Sequence, residues 1–284
     1  MTKKPTIMEQ LKWADEGHYA IPHFNYSDIW DMTAIVRAAE EMSSPVILAG
    51  VPKVTNALSI ELCGAMGKVL TDTAKVPVYH HLDHSADVAV CKAAVDNHFA
   101  TVMIDGSKES LEKNIEMVKA VTDYAHAKGI HVEGEIGKIK GRNYESTFEG
   151  EDFLVQVDQA VELVRKTNVD ILAIGIGTAH GFYEGKPEIN FKRLSEVNEA
   201  MDIPLVLHGG TGIPEEDVRH AIKCGINKVN VGTIIKYVYL SNVQKGLNEN
   251  GPSIHTIDLM LPVVECIKEE VKKWIRVCMS EGKA

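Results

Sequence analysis

The chain has 284 residues, 45% of them hydrophobic and 25% charged, and it carries a formal net charge of −10. This composition is typical of a soluble globular protein, and the acidic excess excludes a surface that neutralises nucleic-acid phosphates. No apolar run approaches the ~18 residues of a membrane span, so we expect a cytoplasmic protein with neither a nucleic-acid nor a membrane partner. Its five cysteines lack Cys-x-x-Cys spacing, which leaves histidines and carboxylates to hold any metal.

Short apolar runs alternate with helix-length amphipathic segments along the chain. Eight runs are predicted to be strands, at residues 19–24, 45–49, 78–82, 101–104, 131–135, 170–174, 204–207 and 228–231. Helices are predicted at residues 28–42, 61–73, 87–97, 109–128, 155–166, 191–200, 215–224 and 233–247. This alternation favours a closed parallel barrel. We therefore predict one α/β domain over residues 1–284, a (β/α)8 TIM barrel with a helix at 6–15 closing the bottom and a C-terminal helical extension at 256–279.

Polar residues follow several predicted strands, at the end where a TIM barrel carries its active site. They form five segments, at residues 81–84 (His-Leu-Asp-His), 133–135 (Glu-Gly-Glu), 175–181 (ending Ala-His-Gly), 208–212 (His-Gly-Gly-Thr-Gly) and 230–233 (Asn-Val-Gly-Thr). The longest irregular connection, residues 136–152, follows the fifth strand. Loops of this length in compact domains are often functional, so this connection is a candidate lid.

Three histidines from three strand ends, His84, His180 and His208, predict an open metal site. Three protein nitrogens leave coordination positions for water or substrate oxygens, which is typical of catalytic zinc. The alternative for any one of them is a hydrogen-bonded loop residue. An open histidine site of this kind also accepts cobalt, iron or manganese.

The glycine-rich segments after the seventh and eighth strands predict a phosphate site. TIM barrels commonly bind phosphate there with loop amides and a helix N-terminus, and glycine lets the backbone approach a ligand closely. Tight turns between strand and helix are the alternative explanation.

Carboxylates near the predicted metal also have alternative roles. Asp83 is a possible helix N-cap, but Ser85 and Asp87 are as well placed, which leaves Asp83 free to point inward. Glu133 and Glu135 share one strand face, where they could orient a metal-bound imidazole, act as a metal ligand, or pair with a buried lysine. We favour a role beside the metal.

Further motifs occur in order along the chain, at residues 24–25 (Phe-Asn), 38–41 (Ala-Ala-Glu-Glu), 44–48 (Ser-Pro-Val-Ile-Leu), 102–107 (Val-Met-Ile-Asp-Gly-Ser), 177–181 (Gly-Thr-Ala-His-Gly) and 228–231 (Lys-Val-Asn-Val). With the strand-end segments, they resemble class II fructose-bisphosphate and tagatose-bisphosphate aldolases from about residue 7 to residue 236. The resemblance implies zinc on His84, His180 and His208. Glu135 is a candidate for a further metal residue, and a monovalent cation is a candidate second cofactor. The resemblance further implies that Asp83 transfers a proton during reversible cleavage of a phosphorylated ketose to dihydroxyacetone phosphate and an aldehyde. The implied substrate-binding residues are Asn25, Gly181, Gly209, Gly210, Thr211, Asn230, Gly232 and Thr233.

The chain departs from the family pattern mostly at residues expected to contact the aldehyde half of the substrate. The usual Gly-Gly-x-Glu-Asp loop segment is replaced at residues 140–145, where Glu145 is the candidate for the catalytic glutamate, or else an exposed loop carboxylate. The second strand ends in Ala-Gly rather than Ser or Gln, Ile234 stands where an acidic residue is usual, and no arginine follows residue 251 until Arg276.

These departures leave the bisphosphate assignment open. Fructose or tagatose 1,6-bisphosphate is one expected substrate, and a ketose 1-phosphate with another anionic head, such as a sulfonate or carboxylate, is the other. The candidates for binding that head are Lys53, Arg142 and His255.

Two other functions are compatible with the residues. Three histidines and an aspartate could activate water in a metal-dependent hydrolase, although the usual zincin or His-x-His spacing is missing. A non-catalytic sugar-phosphate-binding relative is the other alternative. The resemblance also implies a homodimer or homotetramer, with the C-terminal helix as the expected contributor.

Overall fold

The computed structural model describes residues 4–139, 153–185 and 187–284. Its strands are β1 (Ile21–Asn25), β2 (Val46–Gly50), β3 (Val78–Ser85), β4 (Thr101–Ile104), β5 (His131–Ile136), β6 (Ile171–Ile174), β7 (Leu205–Leu207) and β8 (Ile226–Val231). Its helices are α1 (Ile7–Glu16), α2 (Ile29–Glu41), α3 (Pro52–Leu58), α4 (Ile60–Thr73), α5 (Val88–Asp96), α6 (Leu111–His126), α7 (Val157–Thr167), α8 (Phe191–Ala200), α9 (Glu215–Lys223), α10 (Thr233–Asn250) and α11 (Thr256–Val277).

The eight strands of the described residues are parallel and form a closed barrel in chain order, with β8 returning to β1. The predicted TIM barrel with a C-terminal helix is therefore confirmed. α11 packs against α2 and α10 on the outside of the barrel. No helix in the described part of the chain combines the length and apolar composition needed to cross a membrane.

Residues two apart on a strand share one face, and in β1, β3, β4 and β7 the inward face changes from apolar to polar toward the carboxyl end of the strand or directly after it. Near the bottom lie Ile21, Ile47, Tyr79, Met103, Ile171 and Val206, in one buried cluster with Ile7 and Leu11 of α1. Two positions higher stand His23, His81, Asp105 and His208. The strand alternation thus seals the lower end with hydrophobic side chains and gathers polar side chains at the upper end.

Two elements, β3 and α3, differ from the sequence prediction in ways that affect the site, while the N-cap of α5 agrees with it. β3 continues to Ser85, three residues past its predicted end, so Asp83 and His84 belong to the strand. α3 was not predicted, because this seven-residue helix buries only Thr55 and has too few turns for a periodic pattern. α5 is N-capped by Asp87, whose Oδ1 accepts a hydrogen bond from Ala89 N–H at 2.7 Å. Asp83 is therefore free of that capping role.

Candidate active site

Three imidazoles meet at the upper end of the barrel. His84 comes from β3, His208 directly follows β7, and His180 lies in the loop after β6. One ligand nitrogen from each of the three lies within 4.8 Å of the others. Nε2 of His84 is 2.9 Å from Nδ1 of His208. The residues predicted to bind the metal are therefore brought together.

An irregularity in β3 lets two neighbouring residues reach the same site. Adjacent residues on a regular strand point to opposite faces, but the pairing of β3 with β4 shifts register between Leu82 and Ser85. His84 takes a positive φ of 51°, which is an uncommon conformation for a residue with a β-carbon. The bulge re-aims the chain, so that Asp83 and His84 both face the centre of the barrel.

Carboxylates hold two of the imidazoles by their outer nitrogens. Nδ1 of His84 lies 3.1 Å from Oδ2 of Asp105, and Nε2 of His208 lies 3.0 Å from Oε1 of Glu133. A ring nitrogen that donates to a carboxylate leaves the other nitrogen as the metal ligand. His84 therefore presents Nε2 and His208 presents Nδ1 to the centre of the site.

A buried ion pair fixes Glu133. Nζ of Lys228 on β8 donates to Oε2 of Glu133 at 2.6 Å, and both side chains are inaccessible to solvent. Burial opposes the charge on Glu133, but Lys228 and the hydrogen bond to His208 lower the pKa of this carboxyl below its usual range. Glu133 thus fulfils two of the roles considered from the sequence, since it pairs with a buried lysine and orients His208.

The protonation states of the three imidazoles fit a cation site. Burial and the charge on His84 lower the pKa of His180 to about 3, and burial also lowers the pKa of His208. Burial opposes a charge on His84 as well, but the carboxylates of Asp83, Glu135 and Asp105 raise its pKa to about 10. Two imidazoles are thus neutral, which is the ligand form, and the carboxylates favour one positive charge at the third.

Asp83 lies beside the three imidazoles with its carboxylate buried. Nδ2 of Asn25 donates to its Oδ2 at 2.7 Å, and Nε2 of His23 lies 3.4 Å from the same oxygen. Burial opposes ionisation, but the charge on His84 and the neighbouring His23 imidazole hold the pKa of Asp83 well below its usual range. The group is therefore an ionised carboxylate able to accept a proton.

The two other carboxylates predicted for the site are Glu135, which lies close to His84, and Glu145, which the structure does not describe. Oε2 of Glu135 lies 3.6 Å from Nδ1 of His84, and Glu135 forms a second possible metal-binding group with His84 and Asp105 rather than with His180 and His208. Burial and the charge on Asp105 raise the pKa of Glu135 well above its usual range. Glu145, together with nearly all of the candidate lid, lies outside the described residues.

A cavity of about 790 Å³ opens above the imidazoles, a size typical of small-molecule sites. Seven of the eight predicted substrate-binding residues line it, namely Asn25, Gly181, Gly209, Thr211, Asn230, Gly232 and Thr233. Gly210 does not line it, and its N–H donates to the carbonyl oxygen of Asn230 at 3.0 Å. Of the three residues predicted to bind an anionic head, Lys53 lines the cavity, Arg142 lies outside the described residues, and His255 caps α11 instead.

Sequence reasoning gave no role to several groups that surround the site. Asp105, His23 and His81 were not assigned, although Asp105 directly follows β4 and so carries the same strand-end signal as the other polar residues. Nε2 of His81 lies 4.0 Å from Oδ1 of Asp83. His23 and His81 lie inside β1 and β3, where a histidine gives no functional signal of its own.

The fold and the site define a TIM-barrel enzyme with a histidine-rich centre at the carboxyl ends of its strands. Residues 5–283 match the family model described as fructose-bisphosphate aldolase class-II. The chain belongs to this family and is an aldolase, so the hydrolase and non-catalytic alternatives are not favoured. Enzymes of the family generally depend on a divalent metal and act on small phosphorylated sugars, and this chain supplies groups that could bind such a metal.

Solved structures agree with this placement. The chain is 32% identical to the YdjI aldolase from Escherichia coli K12, with 99% of this chain and 100% of that chain covered and a TM-score of 0.87. It is 28% identical to a candidate fructose-1,6-bisphosphate aldolase from Coccidioides immitis, with coverage of 98% and 97% and a TM-score of 0.88. The fructose-bisphosphate aldolase from Campylobacter jejuni, at 18% identity, coverage of 97% and 95% and a TM-score of 0.83, shares the fold.

Proposed function

We propose that this chain is a divalent-metal-dependent aldolase that reversibly cleaves a ketose 1-phosphate to dihydroxyacetone phosphate and an aldehyde. The observation that carries the proposal is the arrangement of His84 and His208. Their inner nitrogens lie 2.9 Å apart, while their outer nitrogens are engaged by Asp105 and Glu133. With His180, they form an open set of three nitrogen ligands.

His84, His180 and His208 would hold the metal, and zinc suits three nitrogen ligands with open positions. Cobalt, iron and manganese fit the same donors. When bound, the metal would polarise the ketone oxygen of the substrate and stabilise the negative charge that develops as the carbon–carbon bond breaks. Glu135, whose Oε2 lies 3.6 Å from Nδ1 of His84, is proposed as a further metal residue beside the three histidines. A monovalent cation near the phosphate remains a further proposal.

The phosphate of the substrate is proposed to lie between the loops after β6, β7 and β8. Gly181 and Gly209 have positive φ angles, and Gly209 has no room for a β-carbon because one would lie 2.2 Å from the carbonyl oxygen of Ala179. α10 begins at Thr233, and its N-cap, Gly232, makes no side-chain capping hydrogen bond. The N–H of Ile234 donates to Oγ1 of Thr211 at 3.3 Å, and we propose that the other amides of the first turn bind the anion, which the helix dipole also favours.

Asp83 is proposed to move the proton on the oxygen of the aldehyde. During cleavage its ionised carboxylate would accept the proton of the C4 hydroxyl, the bond between C3 and C4 would break, and C3 would take up a proton. During condensation Asp83 would return its proton to the aldehyde oxygen. The hydrogen bond from Asn25 fixes the orientation of the carboxylate for this step. We propose Glu145 for the proton on C3.

The experiment that tests the proposal follows release of dihydroxyacetone phosphate by a coupled, NADH-dependent reduction, using a panel of ketose 1-phosphates and 1,6-bisphosphates. We expect a chelator to lower turnover by more than about a thousandfold, since the metal supplies several kcal/mol of transition-state stabilisation, and added zinc to restore it. His180→Ala should lose both turnover and metal. His126→Ala, at the other end of the barrel, is the matched control and should keep both. Chelator-resistant cleavage would contradict the metal role, and triose-free hydrolysis would contradict the reaction.

We also propose that the chain forms a homodimer or homotetramer. Only Ile235 of the 18 residues of α10 is buried in the single chain. Large hydrophobic side chains are exposed on α10 and α11, namely Tyr237, Leu240, Leu247, Ile257 and Leu261. Their burial between subunits would explain this exposure, and light scattering measures the subunit number directly.

A further inference from the structure

One side of the cavity is apolar, and none of the proposed catalytic or phosphate-binding residues lies there. It is formed by α3 and the residue before it, and its apolar lining consists of Val51, Val54, Ala57 and Leu58. In the closed barrel β2, which leads into α3, stands four strands away from β6, which leads to His180 and Gly181. This α3 wall therefore lies across the cavity from the β6 loop.

β2 sends no polar side chain into the cavity because its inward-facing residues, Ile47 and Ala49, are apolar. Gly50 is in phase with Leu48 and faces the helices outside the barrel. A β-carbon at Gly50, the last residue of β2, would lie 2.5 Å from Oη of Tyr26. Tyr26 is buried, and its hydroxyl is hydrogen-bonded to Nε2 of His80 at 2.9 Å, so it cannot easily move away. The hydroxyl of Tyr26 thus takes the space that a side chain on Gly50 would need.

The α3 wall is supported from behind by the core. Val54 and Leu58, four residues apart and so on one face of the helix, are half-buried and pack against the hydrophobic core of the barrel. Their remaining surface faces the cavity. Val54 and Leu58 of the wall are thus held in place by the core behind them.

The part of the substrate that reaches this wall follows from the proposed function. With the phosphate in the loops after β6, β7 and β8 and the ketone oxygen at the three histidines, the carbons beyond C4 extend toward α3. A hydroxyl placed against the wall would lose its hydrogen bonds to water without replacement. A methyl group there would instead gain by burial.

Besides Lys236 of α10, one further lysine lines the cavity, and this is Lys53. It belongs to α3 but is exposed to solvent, and exposed single ion pairs contribute little. Four hydrophobic side chains therefore outweigh one solvated ammonium in deciding what the wall accepts.

We propose that the substrate is a ketose 1-phosphate whose far end is deoxygenated, such as a 6-deoxyketohexose 1-phosphate. The inference rests on the proposed function and names its substrate class. Asp83 takes the proton of the C4 hydroxyl, the bond between C3 and C4 breaks, and its electron pair stays on C3, which is then protonated. The products are dihydroxyacetone phosphate and a three-carbon 2-hydroxyaldehyde that ends in a methyl group. No oxidant or reductant is consumed.

The test compares ketohexose 1-phosphates that differ only at C6, which carries a methyl, a hydroxymethyl or a phosphorylated hydroxymethyl group, in each configuration at C3 to C5. We expect the methyl compound of the preferred configuration to exceed both others by about tenfold or more in kcat/KM, the range for one changed group in a hydrophobic pocket. Equal or better cleavage of the hydroxymethyl or bisphosphate compound overturns the inference.

Exchange of the C3 protons of dihydroxyacetone phosphate with deuterated solvent separates the two proposals, because it needs only the ketone half of the site. Exchange without cleavage of any methyl compound overturns the deoxygenated substrate and leaves the metal-dependent ketone chemistry standing. Loss of both exchange and cleavage in the metal-loaded enzyme sinks the proposed function itself.

Substitutions in the α3 wall test the inference in a second way. Leu58→Asn and Ala57→Ser should reduce the preference for methyl over hydroxymethyl by about tenfold while deuterium exchange and metal content stay unchanged. Ala57 is exposed, so its variant is expected to fold. Val69→Asn, at a 62% exposed position on α4, is the matched control outside the cavity, and Lys53→Ala should leave the preference intact. An unchanged preference in both wall variants, or its loss in Lys53→Ala, overturns the inference.

Discussion

The two ends of the barrel each gather histidines around a carboxylate, and they differ in how completely these groups are hydrogen-bonded. At the lower end Asp170, just before β6, lies 2.8 Å from Nε2 of His126 and 3.1 Å from Nδ1 of His131 through separate oxygens. The N–H of Val132 donates to the same carboxylate at 2.8 Å. This cluster is satisfied by its own neighbours.

At the upper end several buried polar atoms have no hydrogen-bond partner among the described residues. They are Oδ1 of Asp83, Oε2 of Glu135, Oδ1 of Asn230, Nε2 of His81 and both ring nitrogens of His23. Each unpaired buried group costs about 1–3 kcal/mol, so the rest of the fold must stabilise this arrangement. The comparison teaches that residue types alone do not separate a structural cluster from a ligand-binding one; the unmet hydrogen-bonding capacity does.

The largest contrast should come from the same substitution at the two ends. Asp83→Asn removes the proposed proton acceptor without touching a histidine ligand, so kcat should fall by about 10²–10⁴, the usual contribution of a general acid–base group. KM and metal content should change little. Initial rates and metal analysis measure these effects, with Asp170→Asn as the matched control that keeps full turnover.

A further readout distinguishes proton transfer from a structural role for Asp83. Because this residue is proposed to act on the oxygen at C4, deuterium exchange at C3 of dihydroxyacetone phosphate should survive in Asp83→Asn. If the variant retains more than a tenth of wild-type kcat, or loses exchange along with cleavage, the assigned role is wrong.

A smaller effect on the site is expected from Glu133→Gln. Glu133 orients His208, and loss of such an outer partner typically lowers metal affinity by about 10–100-fold. The change also leaves Lys228 buried without its counter-charge, so the free energy of unfolding should fall by about 3–5 kcal/mol. Competition with a chromogenic chelator measures the affinity, and denaturant unfolding measures the stability.

The double variant Glu133→Gln, Lys228→Met separates these two consequences. Removing both charges should restore much of the stability, because no unpaired buried charge remains, while metal affinity stays low. Recovery of affinity together with stability would mean that Glu133 acts on the site only through the fold.

The fold could be predicted because its signals are local and repeated. Each strand is an apolar run between polar segments, and β4 and β6 end where the pattern ends. The end of β3 was missed because Asp83 and His84 are polar, and a bulge with His84 at positive φ keeps them in the strand. Such a conformation depends on tertiary contacts, which a local sequence pattern does not predict.

The candidate site was predictable to the extent that it lies at strand ends. His84, His180 and His208 were found by position, and the structure brings them together. The α3 wall could not be foreseen, since α3 is a seven-residue helix that is too short to give a periodic sequence pattern. The pairing of Glu133 with Lys228 could not be predicted either, because it joins β5 to β8 across the barrel.

The smallest expected effect on activity is at Asp170, where a substitution should instead change the stability of the fold and its dependence on pH. Burial opposes ionisation, but hydrogen bonds from His131 and His126 lower the pKa of Asp170 in the folded chain. A lowered pKa stabilises the fold above the unfolded value of about 4, and this stabilisation is lost as pH falls through the folded value. Asp170→Asn should therefore cost about 1–2 kcal/mol of unfolding free energy at pH 7, and the difference from wild type should shrink below pH ~4. Urea unfolding across this pH range measures the stability difference between the variant and wild type. If that difference grows as the pH falls, or if the variant loses turnover at pH 7, the histidine–carboxylate cluster at the lower end is not purely structural.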